Sequence, residues 1–560
     1  MSTMVAPVHA AGLGNRAHNL ARLATEQFDV LVIGGGITGA GIALDAASRG
    51  IKVALVERND FASGTSSRSS KLVHGGLRYV AEYQFRVTRE ASEERYQLQR
   101  LAPHLVRSVP FLLPVYGGFK ETTKLSAGLW LYDILATLRN THLHRRLSPT
   151  QVHDMVPSLT TEGLDGGFVY YDCRTDDARL TIEVLKTAAA FGAVVVNHAQ
   201  VEDFMRSRDQ IAGVGVRDHI RGTSIEVRAH TVVAATGVWI DTLRPKADRG
   251  ALPVTRPAKG VHLVLPEQRI GNGDVAMTLQ TSRDHRITFV IPWMGRTLVG
   301  TTDTEYEGRL DQPRATVDDV DYLMEAIVRA FPERHLSAAD ILTVQAGLRP
   351  LVNDPGASTT GISREDRVFE GESGLISIAG GKLTTYRRMA RKVVDIVARR
   401  LGTAGVDGIG PCRTGSIAIG GTMDDPVPAI GTLGEETQAH LLHLYGGQAS
   451  TIASLLGDHP NLAARLVPGL PHVASQVVYA ARWEMGVTVS DVLIRRLRLA
   501  NLDGGLALGC LHLVVPLLAQ ELGWSASEAT AQMDNYREEV EQFAVPGRAS
   551  IAASQGQESL

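Results

Sequence analysis

Between Phe28 and Asp60 the chain reads FDVLVIGGGITGAGIALDAASRGIKVALVERND, and this stretch constrains the fold more than any other. Apolar Val30 to Ile33 predict a strand, and Gly34, Gly36 and Gly39 stand in the spacing GxGxxG. Ile37 to Arg49 predict a helix that stops at Gly50, and Lys52 to Val56 a second strand ending on Glu57. Each glycine meets a steric need, whether a tight turn, close approach of backbone to pyrophosphate, or close packing of helix on strand. The helix N-terminus offers free N–H groups and a partial positive charge to phosphates. Glu57, about twenty residues on, is placed to accept hydrogen bonds from ribose hydroxyls. A glycine turn that only packed a helix on a sheet would not require that acid. The order strand, glycines, helix, strand, acid reads as a dinucleotide site.

Glu57 suits NAD and FAD alike, and two later segments separate them. HTVVAATGVWID, His230 to Asp241, is a buried apolar strand running into Thr236 and Gly237. Ser373 to Leu401 repeats the arrangement: an apolar strand, then Gly380 and Gly381, then Lys382, Leu383, Thr384 and an amphipathic helix. A simple nicotinamide enzyme completes its cofactor site early in the chain. Here a strand–glycine–helix turn returns some three hundred residues later, the discontinuous layout of a flavoprotein. The helix starting near Leu383 would aim its N-terminus at the flavin and favour negative charge on the reduced ring.

A third segment, SSRSSKLVHGGLRY from Ser66 to Tyr79, has neither helical period nor strand alternation. Alone, SSRSS would read as a solvated loop; the His-Gly-Gly and Arg-Tyr that follow argue for a site. Bulk properties set outer limits. The 560 residues suffice for two or three domains, and a net charge of -3 gives no polycationic signature for nucleic acid. Cys173, Cys412 and Cys510 are scattered without metal-ligand spacing, fit a reducing compartment, and are expected to be buried and inert. No metal site is expected. No window reaches the length of a spanning helix; LALGCLHLVVPLLA from Leu506 is too short and holds His512 and Pro516.

Taken together, these segments resemble the FAD-dependent, quinone-linked glycerol-3-phosphate dehydrogenases. The resemblance rests on TSSRSSKLVHGGLRYV, YYDCRTDDARL, AATGVWID, KGVHLVLP, RITFVIPW, VGTTDTEYEG, AGLRPL and GGKLTTYR, in that order between about Phe28 and Arg387, and on EMGVTVSDVLIRRLRL further on. It implies an α/β fold: a Rossmann-type FAD domain of the glutathione-reductase-like or amino-acid-oxidase-like kind, an inserted antiparallel β-sheet cap, and a C-terminal helical domain. It also implies oxidation of sn-glycerol 3-phosphate to dihydroxyacetone phosphate, with electrons passed to membrane quinone. Ser66, Ser67, Leu72, His74, Gly75 and Gly76 would then lie along FAD, while Arg78 and Tyr79 enter the substrate cavity. A small dianion needs cations with forked or point donors, and Arg78, Arg349 and Lys382 stand at the matching positions. His262 is the expected base, because a neutral imidazole accepts a proton near pH 7. A strand histidine that merely satisfies its neighbours is the competing reading. Arg364 matches another pocket arginine; always protonated, it would stabilise the developing alkoxide.

Domain limits follow from the same reading: a loose extension at 1–27; an FAD domain from 28–106, 167–255 and 341–400; a cap from 107–166 and 256–340; a linker at 401–423; helices at 424–543; and a disordered tail at 544–560. The family's acceptor implies peripheral attachment to the inner face of the cell membrane from the cytoplasmic side; a homodimer is left open. Lys124 to Asn140 is the best local anchor, with Leu125, Leu129, Tyr132, Leu135 and Leu138 on one helical face and Trp130 beside it; packing of that face on the core is the equal alternative. Other readings are an oxidase that passes electrons to oxygen, an amine or amino-acid oxidase, and a non-catalytic FAD module. The three cations disfavour the second, and they and His262 disfavour the third. Gln345 and Val238 depart from the family pattern, where an aromatic residue and a proline are common.

Overall fold

The computed structural model describes residues 12–81, 83–136, 142–284, 286–353, 365–420 and 433–552, the side chains of Arg78 and Ala81 excepted. Two sheets organise them. The dinucleotide sheet runs in the order Asp366–Glu370, Ile376–Gly380, Ser224–Ala234, Gln27–Ile33, Val53–Val56, Val194–Val196, and a meander Ala199–Ser207 and Gln210–Asp218 extends it from Ser224–Ala234. Four of its neighbouring pairs are parallel, with Val32 level with both Leu55 and Val233. Both faces of these strands are covered, so they read as unbroken apolar runs and not as alternation. Helix Ile37–Ser48 leaves the first strand at Gly36 and is buried along nearly its whole length between helices Asp177–Ala190 and Tyr386–Thr403. Gly39 permits this, because a Cβ there would stand 1.9 Å from the Gly34 carbonyl oxygen.

The second sheet has ten strands in the order Thr304–Glu305, Thr255–Pro266, Arg296–Gly300, Ile287–Trp293, Ala276–Gln280, Arg107–Val115, Gly166–Arg174, Leu72–Val73, with Thr343–Val352 against Thr255–Pro266 and Arg145–Leu147 against Gly166–Arg174. Ile287–Trp293 and Arg296–Gly300 form a hairpin. Its turn is Met294–Gly295, both at positive φ, the conformation a tight right-twisted hairpin needs. Two strands expected in the FAD domain, Gly166–Arg174 and Thr343–Val352, pair instead in this sheet. Their partners lie far off in sequence, and local pattern does not report register.

From Glu435 to Phe543 the described chain is helical around its own apolar core. Both ends of the described residues dock, within the spans 1–27 and 544–560 where looseness was expected. Helix Arg16–Thr25 buries Leu20 and Leu23 against the dinucleotide sheet, and Arg16 Nη2 donates to Asp218 at 2.7 Å. At the other end Val545 is buried and Arg548 donates to the Ile341 carbonyl at 2.8 Å. Helix Gly118–Leu135 decides between the two anchor readings: Leu129 and Tyr132 are buried, and Leu125 and Leu135 pack on the same core. The face read as an anchor therefore faces inward; Leu138 lies outside the described residues. No described helix is long and apolar enough to cross a membrane. Cys173 and Cys510 are buried, and burial pushes both thiols up to about 12, whereas Cys412 is only half-buried.

Candidate active site

A groove of about 500 Å³ opens where the glycine turns of the dinucleotide sheet converge. Gly34, Gly36, Glu57, Ser66, Thr236, Gly237 and Gly380 line it. Gly34 has φ of 114°, and a Cβ there would meet the Ala235 carbonyl at 2.5 Å, so only glycine lets the two turns close on each other. The Glu57 carboxylate accepts from the backbone N–H of Gly35 at 2.6 Å and of Asn59 at 2.8 Å, and burial raises its pKa. Ser66 Oγ accepts from Ile37 N–H at 2.9 Å and so caps the helix that would face a pyrophosphate. Thr236 Oγ1 is buried with no hydrogen-bond partner among the described residues. A glycine-walled groove with a helix N-terminus, an acid and an orphaned hydroxyl fits a dinucleotide such as FAD.

The Ser66–Tyr79 segment leads from this groove into the protein and touches each part of the site in turn. Ser66 caps the helix; Ser70 Oγ lies 2.9 Å from His262 Nε2; His74 N–H donates to Thr384 Oγ1 at 3.2 Å; and the Lys382 ammonium stands 3.7 Å over the Tyr79 ring. Between Arg68 and Gly76 the segment forms no helix and only the two-residue strand Leu72–Val73, because it must follow a surface built by others.

His262 lies on strand Thr255–Pro266 opposite Gln345, and Arg349, four residues further along the partner strand, lies opposite Ala258. Strand alternation puts His262 and Arg349 on one face of the sheet. His262 is 2 % exposed, and its Nδ1 has no partner among the described residues. Burial, reinforced by Lys71 and Arg349, holds its imidazole down at about 3. Arg349 donates to Asp303 at 3.1 Å and to Thr301 Oγ1 and the Thr302 carbonyl, each at 3.1 Å. These partners hold the guanidinium to one orientation at the cost of part of its donor capacity.

Several of the residues expected along the cofactor also make contacts within the scaffold. Ser67 Oγ turns to the Gly64 carbonyl at 3.4 Å, Leu72 pairs with Arg174 in the second sheet, and a Cβ on Gly75 would strike the Tyr132 hydroxyl at 2.4 Å. Gly76 is at φ of 78° beside the Tyr79 ring, and Gly381 packs on Met389. Thr384 is buried, and Leu383 opens the short 3-10 turn before helix Tyr386–Thr403. Arg364 and the side chain of Arg78 lie outside the described residues. Sequence reasoning named Ser66 and Ser67 and passed over Ser70, three residues on in the same run. It also missed Trp239, which lines the groove, donates to Asp311 at 3.0 Å and stacks under Arg58.

Comparison with known proteins agrees with this geometry. The family described as FAD dependent oxidoreductase matches residues 29–387, and the groove and its two glycine turns fall inside that span. The fold and site therefore define an FAD-dependent oxidoreductase, and FAD is its cofactor. A family described as the C-terminal domain of alpha-glycerophosphate oxidase matches residues 412–529. Glycerol-3-phosphate dehydrogenase 2 of Mycobacterium bovis is 40% identical over 544 residues, 96% of this chain and 92% of its own. The aerobic glycerol-3-phosphate dehydrogenase of Bacillus subtilis is 36% identical over 546 residues, 95% of this chain and 98% of its own. The crystal structure of the Bacillus halodurans glycerol-3-phosphate dehydrogenase complexed with FAD superposes with a TM-score of 0.80 at 34% identity, over 96% of this chain and 99% of that one. The chain belongs to the FAD-dependent glycerol-3-phosphate dehydrogenase family.

Proposed function

We propose that the protein oxidises sn-glycerol 3-phosphate to dihydroxyacetone phosphate and passes the electrons to a membrane quinone. The observation that carries this reading is the path of Ser66–Tyr79, which joins a dinucleotide groove to a buried imidazole flanked by cations. Oxidation removes a proton from the C2 hydroxyl and a hydride from C2. Bound FAD supplies the two-electron acceptor for that hydride. Arg349, steadied by Asp303, and Lys382, beside Tyr79, grip the phosphate and so fix the carbon. The hydroxyl proton reaches His262 Nε2 through Ser70, whose Oγ lies 2.9 Å from that nitrogen and hands on its own proton as it accepts the substrate's. An imidazole held near 3 is a weak base in the protein alone. A dianion among Lys71, Arg349 and His262 cancels the positive charge that helps depress it, and raises its basicity as substrate arrives.

Membrane attachment has support in the outward side of helix Gly118–Leu135, where Phe119, Ile134 and Trp130 are 83 %, 60 % and 51 % exposed. Exposed Tyr83 lies just beyond helix Leu77–Ala81, which packs against the same helix. Large apolar side chains gathered on an open face fit a lipid interface better than water.

The test is to identify the product and count the electrons. With a soluble quinone analogue, dihydroxyacetone phosphate should form one for one with reduced quinone. The alternative, oxygen as acceptor, is favoured by the oxidase relationship of residues 412–529. It would show as one hydrogen peroxide per product without quinone. No product from glycerol 3-phosphate with either acceptor would end the reading.

A further inference from the structure

The loop that carries Ser70 is held by charges from two other parts of the chain. Asp177, the first residue of helix Asp177–Ala190, accepts from Ser69 N–H at 2.9 Å, Ser69 Oγ at 2.7 Å, the Lys71 ammonium at 2.9 Å and Arg498 Nη2 at 3.2 Å. Lys71 closes the loop on itself, donating to the Ser67 carbonyl at 2.8 Å and the Ser69 carbonyl at 3.2 Å. Its backbone is left-handed, with φ of 60°, a conformation a lysine keeps only when its surroundings enforce it. Arg498 comes from the C-terminal helices, donates to the same Ser67 carbonyl at 2.8 Å, and pairs with Asp176 at 3.1 Å. Lys71, Asp177 and Arg498 are buried to within 1 % of full occlusion. Burial disfavours the Asp177 charge, but Lys71 and Arg498 hold its carboxyl below the ordinary value. Inside this frame, Ser70 is presented to His262 Nε2 at 2.9 Å.

We propose that Lys71, Asp177 and Arg498 are positioning residues, through which the C-terminal helical domain sets the placement of the Ser70 hydroxyl against His262 and hence the rate of proton removal. The helical domain is then a working part of the active site, not an appendage. This rests on His262 being the base. A buried, charge-assisted frame suits the purpose, because geometry at a proton acceptor must hold to a fraction of an ångström.

The experiment uses the full-length holoenzyme under anaerobic single turnover with glycerol 3-phosphate. Ser70→Ala should slow flavin reduction about tenfold and leave the apparent substrate constant and FAD content unchanged, while Ser70→Thr, which keeps the hydroxyl, stays close to wild type. Arg498→Met should slow it to a similar degree, and the double variant should be no slower than the slower single. Residues that act as one unit do not add their effects. Should Arg498→Met not fold, Arg498→Lys keeps the buried charge without the two-pronged reach and should also slow reduction. Hydrogen exchange at residues 67–71 should quicken in the arginine variants, with or without FAD. Wild-type rates in Ser70→Ala, or single effects that multiply in the double variant, would overturn the proposal. Wild-type rates in His262→Ala would instead remove the reading it rests on, so the two failures are told apart.

Discussion

At the scale of single residues the proposed oxidation turns on His262 and Arg349. His262→Ala should lower turnover by about a hundredfold to ten-thousandfold with FAD retained, because His262 lies outside the glycine-walled groove; absorbance of the purified variant checks retention and steady-state kinetics the rest. Arg349→Ala should raise the apparent constant for glycerol 3-phosphate by about tenfold to a hundredfold, and an unchanged value would mean that Arg349 serves only Asp303. Both positions were legible in the sequence through the family resemblance, in KGVHLVLP and AGLRPL. Ser70 was not, since one serine in SSRSS looks like the next. Only the fold distinguishes them: Ser66 caps a helix, Ser67 turns inward, and Ser70 meets the imidazole. Asp177 and Arg498 lay in segments that carried the family resemblance. Their role depends on contacts across 106 and 321 positions, which no local pattern reports.

At the scale of elements the glycines divide into those that packing requires and those it does not. Gly39→Ala sets a methyl carbon 1.9 Å from the Gly34 carbonyl oxygen, in the turn that follows the first strand. It should part helix from strand, cost at least about 1–3 kcal/mol, and release FAD, as thermal unfolding and cofactor content would show. Gly128→Ala, within helix Gly118–Leu135 and with no atom within 4 Å of the new Cβ, should stabilise by about 0.5–1 kcal/mol. The first element was legible because steric demand writes its own spacing. The second was half legible: the period marked a helix with an apolar face, but not that the face is covered by strands Arg107–Val115 and Gly166–Arg174. Of the outward apolar residues, Trp130 was read only as flanking that face, and Phe119 and Ile134, which break the period, escaped notice.

At the scale of the whole molecule the C-terminal helices are joined to the FAD domain by buried charge and by buried neutral imidazoles. Burial holds His104 at about 3, His443 and His472 at about 4, and His440 well below its ordinary value, as it does His262. In the unfolded chain these imidazoles titrate near 6.5. Between about pH 6.5 and 4 the unfolded state therefore binds more protons, and stability falls as pH falls. His198 is the opposite case: burial works against its charge, but Asp491 beside it raises its pKa, so it is charged in both states near pH 5 and adds no uptake there. Unfolding near pH 5 should take up on the order of four to five protons, measurable from the slope of stability against pH; a flat profile would mean these histidines are solvated. The composition gave no hint of this, because histidines scattered through 560 residues show no spacing until the helices close on the sheet. The claim that unites all three scales is that a flavin site and a phosphate-reading pocket share one segment. The most direct measurement is the visible spectrum of the anaerobic holoenzyme titrated with glycerol 3-phosphate and, separately, with glycerol and with proline. Stoichiometric glycerol 3-phosphate should bleach the flavin while the other two leave it oxidised; an unbleached flavin, or equal bleaching by glycerol, would refute the shared site.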